Sequence, residues 1–279
     1  MLLSSVIFVL QETLEAALLA SVLLTISNQQ WNRIAWLSIG IGGGMVLSFL
    51  YASNMLEISE WFDYVGQEIV NASLQILTTL LVVVGTWALF KSRQFDAGRG
   101  PSQKNRFTSL FIFCAASAVV LAITREGSEV LLYLGGFLLQ EEYFQTVVTG
   151  SSIGFSIGLS LCILLYYGLL SLPRNWRLDV SVILLAIFAG NMLSRAVLQL
   201  TQADWISSAQ AFWDTSEWLP ESSTLGKSLY ALLGYEATPS AAQLIAYVLG
   251  MVLVLASGAA GKYSKDNNPT TVQATNRQR

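Results

Sequence analysis

Residues Leu110–Leu139 read LFIFCAASAVVLAITREGSEVLLYLGGFLL. The run is apolar over more than the roughly 20 residues that an α-helix needs to cross a bilayer, yet it holds Arg125, Glu126 and Glu129. Each ionised group at membrane depth costs roughly 2.5 to 3.5 kcal/mol even on lenient insertion scales, so a chain that keeps such groups is using them. Six further apolar runs accompany this one: Leu2–Ile26, Ile34–Asn54, Ile69–Phe90, Thr146–Leu170, Leu178–Leu200 and Ala241–Gly261. All are expected to be helices, because a backbone in lipid must satisfy its own hydrogen bonds. Composition agrees, with 53% hydrophobic and only 12% charged residues, against about 25% charged in an ordinary soluble domain. The chain reads as an all-α integral membrane protein in a lipid bilayer. Seven transmembrane helices form one domain over residues 1–261, followed by a polar tail, 262–279, expected to be disordered and cytoplasmic. The first run lacks a basic leader and carries Glu12 and Glu15, so it is expected to be a retained helix and not a cleaved signal.

Loop charges predict the orientation. If the spans alternate, Arg33, Lys91, Arg93, Arg99, Lys104, Arg106, Arg174, Arg177, Lys262, Lys265, Arg277 and Arg279, which are 12 of the 15 basic residues, share one side. That side is the cytoplasm, which puts the amino terminus outside a cell membrane and the carboxyl terminus inside. The opposite loops hold Glu57, Glu60, Asp63, Glu68, Glu141, Glu142, Asp204, Asp214, Glu217, Glu221 and Glu236, an acidic face that concentrates cations. Glu57 and Glu60 on it read as a solvated acidic surface, with a point of ion entry as the alternative. Trp205, Trp213 and Trp218, in the outer segment 201–240, suit an interfacial or re-entrant piece.

Six charges remain at membrane depth: Glu12, Glu15, Arg125, Glu126, Glu129 and Arg195. Within each glutamate pair the spacing is three residues, which places both carboxylates on one helix face. Both pairs fall near mid-membrane by helical rise. The segment Gln11–Glu15 with its flank, QETLEAAL, aligns with REGSEVLL from Arg125. These segments open the first and fourth helices, so helices one to three and four to six are expected to be inverted-topology repeats, with a seventh helix added. Gly40/Gly44 and Gly150/Gly154/Gly158 give the second helix of each half a close-packing edge. Asn71, Gln75 and Thr78 stripe the third helix, as Asn191, Arg195 and Gln199 stripe the sixth. Such stripes are expected to face the interior, where they serve either as interhelical glue or to help an ion shed hydration water.

Four carboxylates and no histidine at all exclude imidazole-ligated zinc, copper or haem. Oxygen donors suit hard cations, and residue types alone leave iron, manganese, magnesium and calcium open. Crowded carboxylates are expected to hold protons until a cation arrives. Arg125 also has a bland reading as the partner of Glu129 four residues on. Cys114 and Cys162 lie in different runs and read as small apolar fillers.

Arg-Glu-x-x-Glu at Arg125–Glu129, its counterpart at Gln11–Glu15, seven spans and Gly-Tyr-Glu-Ala-Thr-Pro-Ser at Gly234–Ser240 together resemble the high-affinity iron permease family. These are oxidase-dependent iron transporters, with bacterial, EfeU-like members. The resemblance covers helices one to seven. It implies a permease and not an enzyme, importing iron, in its ferric form, as substrate without a permanently bound cofactor. Glu12, Glu15, Glu126 and Glu129 would be the metal ligands, with Arg125, Gln11, Asn71, Gln75, Asn191 and Arg195 in support. It also implies extracytoplasmic proteins that oxidise or deliver iron, and no nucleic acid. The family usually has Arg-Glu-Gly-Leu-Glu in the first helix, whereas this chain has Gln11 and Thr13. That loss of a positive charge keeps lead or manganese open as cargo. Other readings of the same glutamates are a proton-conducting channel and an intramembrane enzyme, the latter without a nucleophile constellation.

The charge distribution yields one direct test. Reporter fusions placed after Gln103 and after Arg279 are both expected to read as cytoplasmic, and an extracytoplasmic signal from either overturns the orientation.

Overall fold

The computed structural model describes residues 1–31, 34–95, 101–138, 140–207, 210–221 and 223–263. Among the described residues the chain is all helix apart from its connections, with no β-strand: α1 (Leu2–Trp31), α2 (Ala35–Ser53), α3 (Met55–Ser59), α4 (Trp61–Tyr64), α5 (Gly66–Phe95), α6 (Pro101–Gly135), α7 (Glu141–Ser171), α8 (Arg174–Gln202), α9 (Thr224–Leu233) and α10 (Ala241–Tyr263). Seven of these are long and apolar enough to cross a membrane, namely α1, α2, α5, α6, α7, α8 and α10. They are the seven expected runs. The expected tail lies outside the described residues from 264 onward, as does Arg33.

The helix ends follow local chemistry. Asn54 closes α2 by donating from its side chain to the Leu50 carbonyl at 2.7 Å. Leu172 is extended ahead of Pro173, which stops α7 and starts α8. The fourth span ends earlier than expected, because Gly135 and Gly136 break it before Leu139. Beyond Gly135 the backbone tightens into a turn, with Phe137 N–H on the Leu134 carbonyl and Leu138 N–H on that of Gly135. The helix α9 is bounded by Ser223, whose hydroxyl accepts from Gly226 N–H, and by Gly234 at φ 69°, a left-handed cap that favours glycine.

Glycine sets which helices touch. A Cβ at Gly44 of α2 would sit 2.6 Å from Ile123 Cβ of α6, and one at Gly150 of α7 would sit 2.7 Å from the Leu2 carbonyl of α1. Thus α2 lies on α6 and α7 lies on α1. Gly190 of α8 and Gly250 of α10 bring those two backbones together, since a Cβ at Gly250 would meet the Ala189 carbonyl at 2.6 Å. Without a water-driven force between helices in lipid, such close contact is what holds them.

Burial separates an inner set from a lipid-facing set. The most apolar windows of α8 and α1 are 67% and 56% buried, that of α7 only 17%. A dry cluster of Leu19, Val22, Ile26, Val82, Leu89, Phe111, Val119 and Leu185 fills the half of the bundle away from the amino terminus. Polar side chains in that half, including Thr25, Thr86 and Ser92, donate to carbonyls of their own helices. Glu12, Glu15, Arg125, Glu126, Glu129 and Arg195 lie in the other half, toward the face that carries Met1, α3 and α4.

Gly250→Ala forces α8 and α10 apart and is expected to cost about 1–3 kcal/mol, the usual range for over-packing. A lowered melting temperature in detergent would register it. Gly42→Ala, where a Cβ meets nothing within 4 Å, leaves the melting temperature unchanged.

Candidate metal centre

Glu12 on α1 and Glu126 and Glu129 on α6 each offer a carboxylate oxygen, and these oxygens lie within 4.8 Å of one another. Glu12 and Glu126 are buried, while the Glu129 side chain is 23% exposed. Glu12 Oε2 and Glu126 Oε2 have no hydrogen-bond partner. Buried acceptors are rarely left unsatisfied, so two free carboxylate oxygens aimed at one spot suit a cation.

Helix packing produces this convergence. Gly127, between the two α6 glutamates, lets α2 approach so closely that Ser48 donates to the Ile123 carbonyl at 2.6 Å. Ser128 turns back onto the Arg125 carbonyl at 2.7 Å. On α1, Thr13 between Glu12 and Glu15 rests against Gly158 of α7. In both helices the outward side of the motif is thus taken up by a neighbour. The carboxylates are left to face inward.

Arg125 joins the two helices. Its Nη1 is paired with Glu126 Oε1 and lies 3.5 Å from Glu15 Oε2, and its Nη2 lies 3.2 Å from Glu129 Oε1. Glu15 stands apart from the trio. Its Oε2 pairs with Arg195 Nη1 of α8, and at 1% exposure it is the most buried carboxylate of the group. Arg195 is held in turn by α9, with the Tyr230 ring centroid 4.1 Å from its guanidinium carbon and the Tyr230 carbonyl 3.4 Å from Nη2. The aromatic segment therefore does reach inward, through Tyr230. Burial pushes the Tyr230 phenol pKa up, with Arg195 opposing.

A cavity of about 350 Å³ leads to the trio from the amino-terminal face, lined by Phe8, Gln67, Glu68, Asn71, Glu129, Leu132, Tyr133, Gln199 and Gln202. Glu129 belongs both to this vestibule and to the trio. Asn71 lines the vestibule and accepts from Tyr51 Oη at 3.0 Å. One turn below, Gln75 is 1% exposed with both amide atoms unpartnered. Asn191 packs against Gly234 and its Oδ1 is unpartnered, whereas Gln11 is half-buried. Glu57 and Glu60 are exposed at α3, away from the vestibule lining. The acid that does line it is Glu68. It continues the Asn71–Gln75 stripe by one turn of α5, a spacing that sequence alone could have supplied. Tyr230 offered no comparable signal.

By helical rise, Glu12 lies about 15 Å, Glu126 about 14 Å and Glu129 about 9 Å from the amino-terminal-face ends of their helices. Glu129 is shallower than expected because α6 stops at Gly135.

Gly-Tyr-Glu-Ala-Thr-Pro-Ser at Gly234–Ser240 closes the loop ahead of α10. Gly234 caps α9, Tyr235 Oη is 2.7 Å from Thr215 Oγ1, and Glu236 accepts from Gln243 Nε2 at 2.5 Å. Burial raises the Glu236 pKa, and the Gln243 bond opposes the rise. This motif builds structure above the trio and contributes no ligand to it.

The profile of the family described as Iron permease FTR1 family matches residues 2–259. A protein of Escherichia coli O6:H1 named ferrous iron permease EfeU is 22% identical over 260 residues, covering 89% of this chain and 92% of its own. One of the same name from Shigella sonnei is 21% identical over the same shares. No solved structure matches the chain.

A double-mutant cycle tests the buried pair. Arg195→Gln is expected to lower the melting temperature, and Glu15→Gln/Arg195→Gln to recover most of the loss, with a coupling of about 1–3 kcal/mol typical of residues in one buried network.

Proposed function

We propose, because the chain belongs to the iron permease FTR1 family, that it imports iron in the ferrous form through Glu12, Glu126 and Glu129. The multi-pass architecture and the family support iron transport, and a permease rather than an enzyme. Three converging carboxylates at the end of an open vestibule, two of them with an unpartnered oxygen, are the observation that carries the site. The relatives' name favours the ferrous ion over the ferric one expected from the sequence.

In this reading the amino-terminal face is extracytoplasmic, in the cell membrane. Its acids attract the ion, with iron-delivering proteins acting on that side. Glu68 and the vestibule amides replace part of the hydration shell, and the trio takes the ion. Arg125 holds Glu126 and Glu129 together until the cation competes for them. An inside-negative potential of 100 mV contributes about 4.6 kcal/mol to moving a divalent ion inward.

Helices α1, α2 and α5 are proposed as one repeat, and α6, α7 and α8 as its inverted partner. The packing supports this pairing: α2 lies on α6 by the same kind of glycine edge by which α7 lies on α1. The first helix of each half is therefore embraced by the second helix of the other. Alternating access would then exchange the two halves around the glutamates.

Uptake of radioactive ferrous iron into proteoliposomes decides the assignment. Glu126→Gln and Glu129→Gln each remove an anionic ligand and are expected to lower uptake at least tenfold at unchanged levels of folded protein. Full uptake by Glu126→Gln overturns the site.

A further inference from the structure

We propose that Arg195 is a specificity-determining residue, which sets the charge of the centre so that it favours a divalent over a trivalent cation. The inference rests on the reading of Glu12, Glu126 and Glu129 as the ion's ligands.

The charged groups of the centre form one connected network. Glu12, Glu126 and Glu129 meet at the ligand position, Arg125 touches Glu126, Glu129 and Glu15, and Arg195 closes on Glu15. Fully ionised, four carboxylates against two guanidiniums leave two negative charges. A divalent ion brings that sum to zero, while a trivalent ion leaves one uncompensated positive charge among groups that are all buried except Glu129. Charge mismatch is felt far more strongly there than in water.

Arg195 is suited to this role in three respects. It contacts no group of the trio, so it acts through Glu15 as a positioning residue. Its guanidinium does not lose its proton in a protein, so its contribution is fixed. Finally, the Tyr230 ring and carbonyl hold it from α9, on the side away from the trio's ligand position. Without Arg195, Glu15 would share Arg125 with the trio, and the centre would carry three negative charges.

The test uses redox-inert probes of both valences, manganese(II) and gallium(III), the latter presented as its nitrilotriacetate complex. Apparent affinities come from the concentration dependence of the melting-temperature rise of purified protein in detergent, and competition with radioactive iron uptake in proteoliposomes provides the second readout. The ratio of gallium to manganese affinity is expected to rise at least tenfold in Arg195→Gln, to fall in Glu15→Gln, and to return to the parent's value in Glu15→Gln/Arg195→Gln. Arg195→Lys keeps the charge and the parental ratio. An unchanged ratio in folded Arg195→Gln overturns the proposal. If that variant does not fold, Glu15→Gln decides, a lower ratio supporting the proposal and a parental ratio overturning it. Glu126→Gln separates the two ideas, because it should weaken both probes together. Parental affinity for both in that variant removes the ligand assignment itself.

Discussion

One guanidinium, that of Arg125, reaches carboxylates from two helices at once, and the rest of the centre is arranged around it. Glu12, Glu15, Glu126 and Glu129 would repel one another in a poor solvent without it, and α1 and α6 would have no reason to meet at this depth. Breaking such an arrangement costs more than never having built it, since a lone buried charge is the most expensive residue a core can hold. The second guanidinium, Arg195, takes the remaining imbalance, and α9 folds inward to hold it. The centre therefore consists of the trio, which reaches the vestibule through Glu129, and an enclosed part, Glu15 and its partner Arg195.

Much of this was legible in the sequence, because the signals were strong and local. Seven apolar runs of membrane length leave few options for the backbone, and charges inside them mark their own importance. What the sequence hid was the partnering. Glu12 and Glu15 share a face of α1, yet one joins Glu126 and Glu129 while the other turns to Arg195, a choice made by α8 and α9. Glu57 and Glu60 are exposed in the acidic outer loop, whereas the vestibule wall is built in part by α5, whose Glu68 lines it. The depth of Glu129 depended on the Gly135–Gly136 break, which a count of apolar residues passes over.

The motif departures also acquire a physical sense. In Arg125–Glu129 the third position is glycine and the facing helix supplies the hydroxyl of Ser48, whereas in Gln11–Glu15 the third position is Thr13 and the facing helix supplies Gly158. The small partner has changed sides and the fit is kept. Thr13 is therefore a packing exchange, and Gln11 is the departure that bears on charge.

The apolar cluster that fills the half of the bundle away from the amino terminus has an electrical consequence. An aqueous vestibule carries the bulk potential of its own side down to the glutamates, while a dry, tightly packed layer behaves as the dielectric of a capacitor. In the proposed reading, most of the transmembrane voltage would fall across Leu19, Ile26, Val82, Phe111 and their neighbours. Binding from the vestibule is thus nearly voltage-insensitive, and the field acts on the ion during the step that opens that layer.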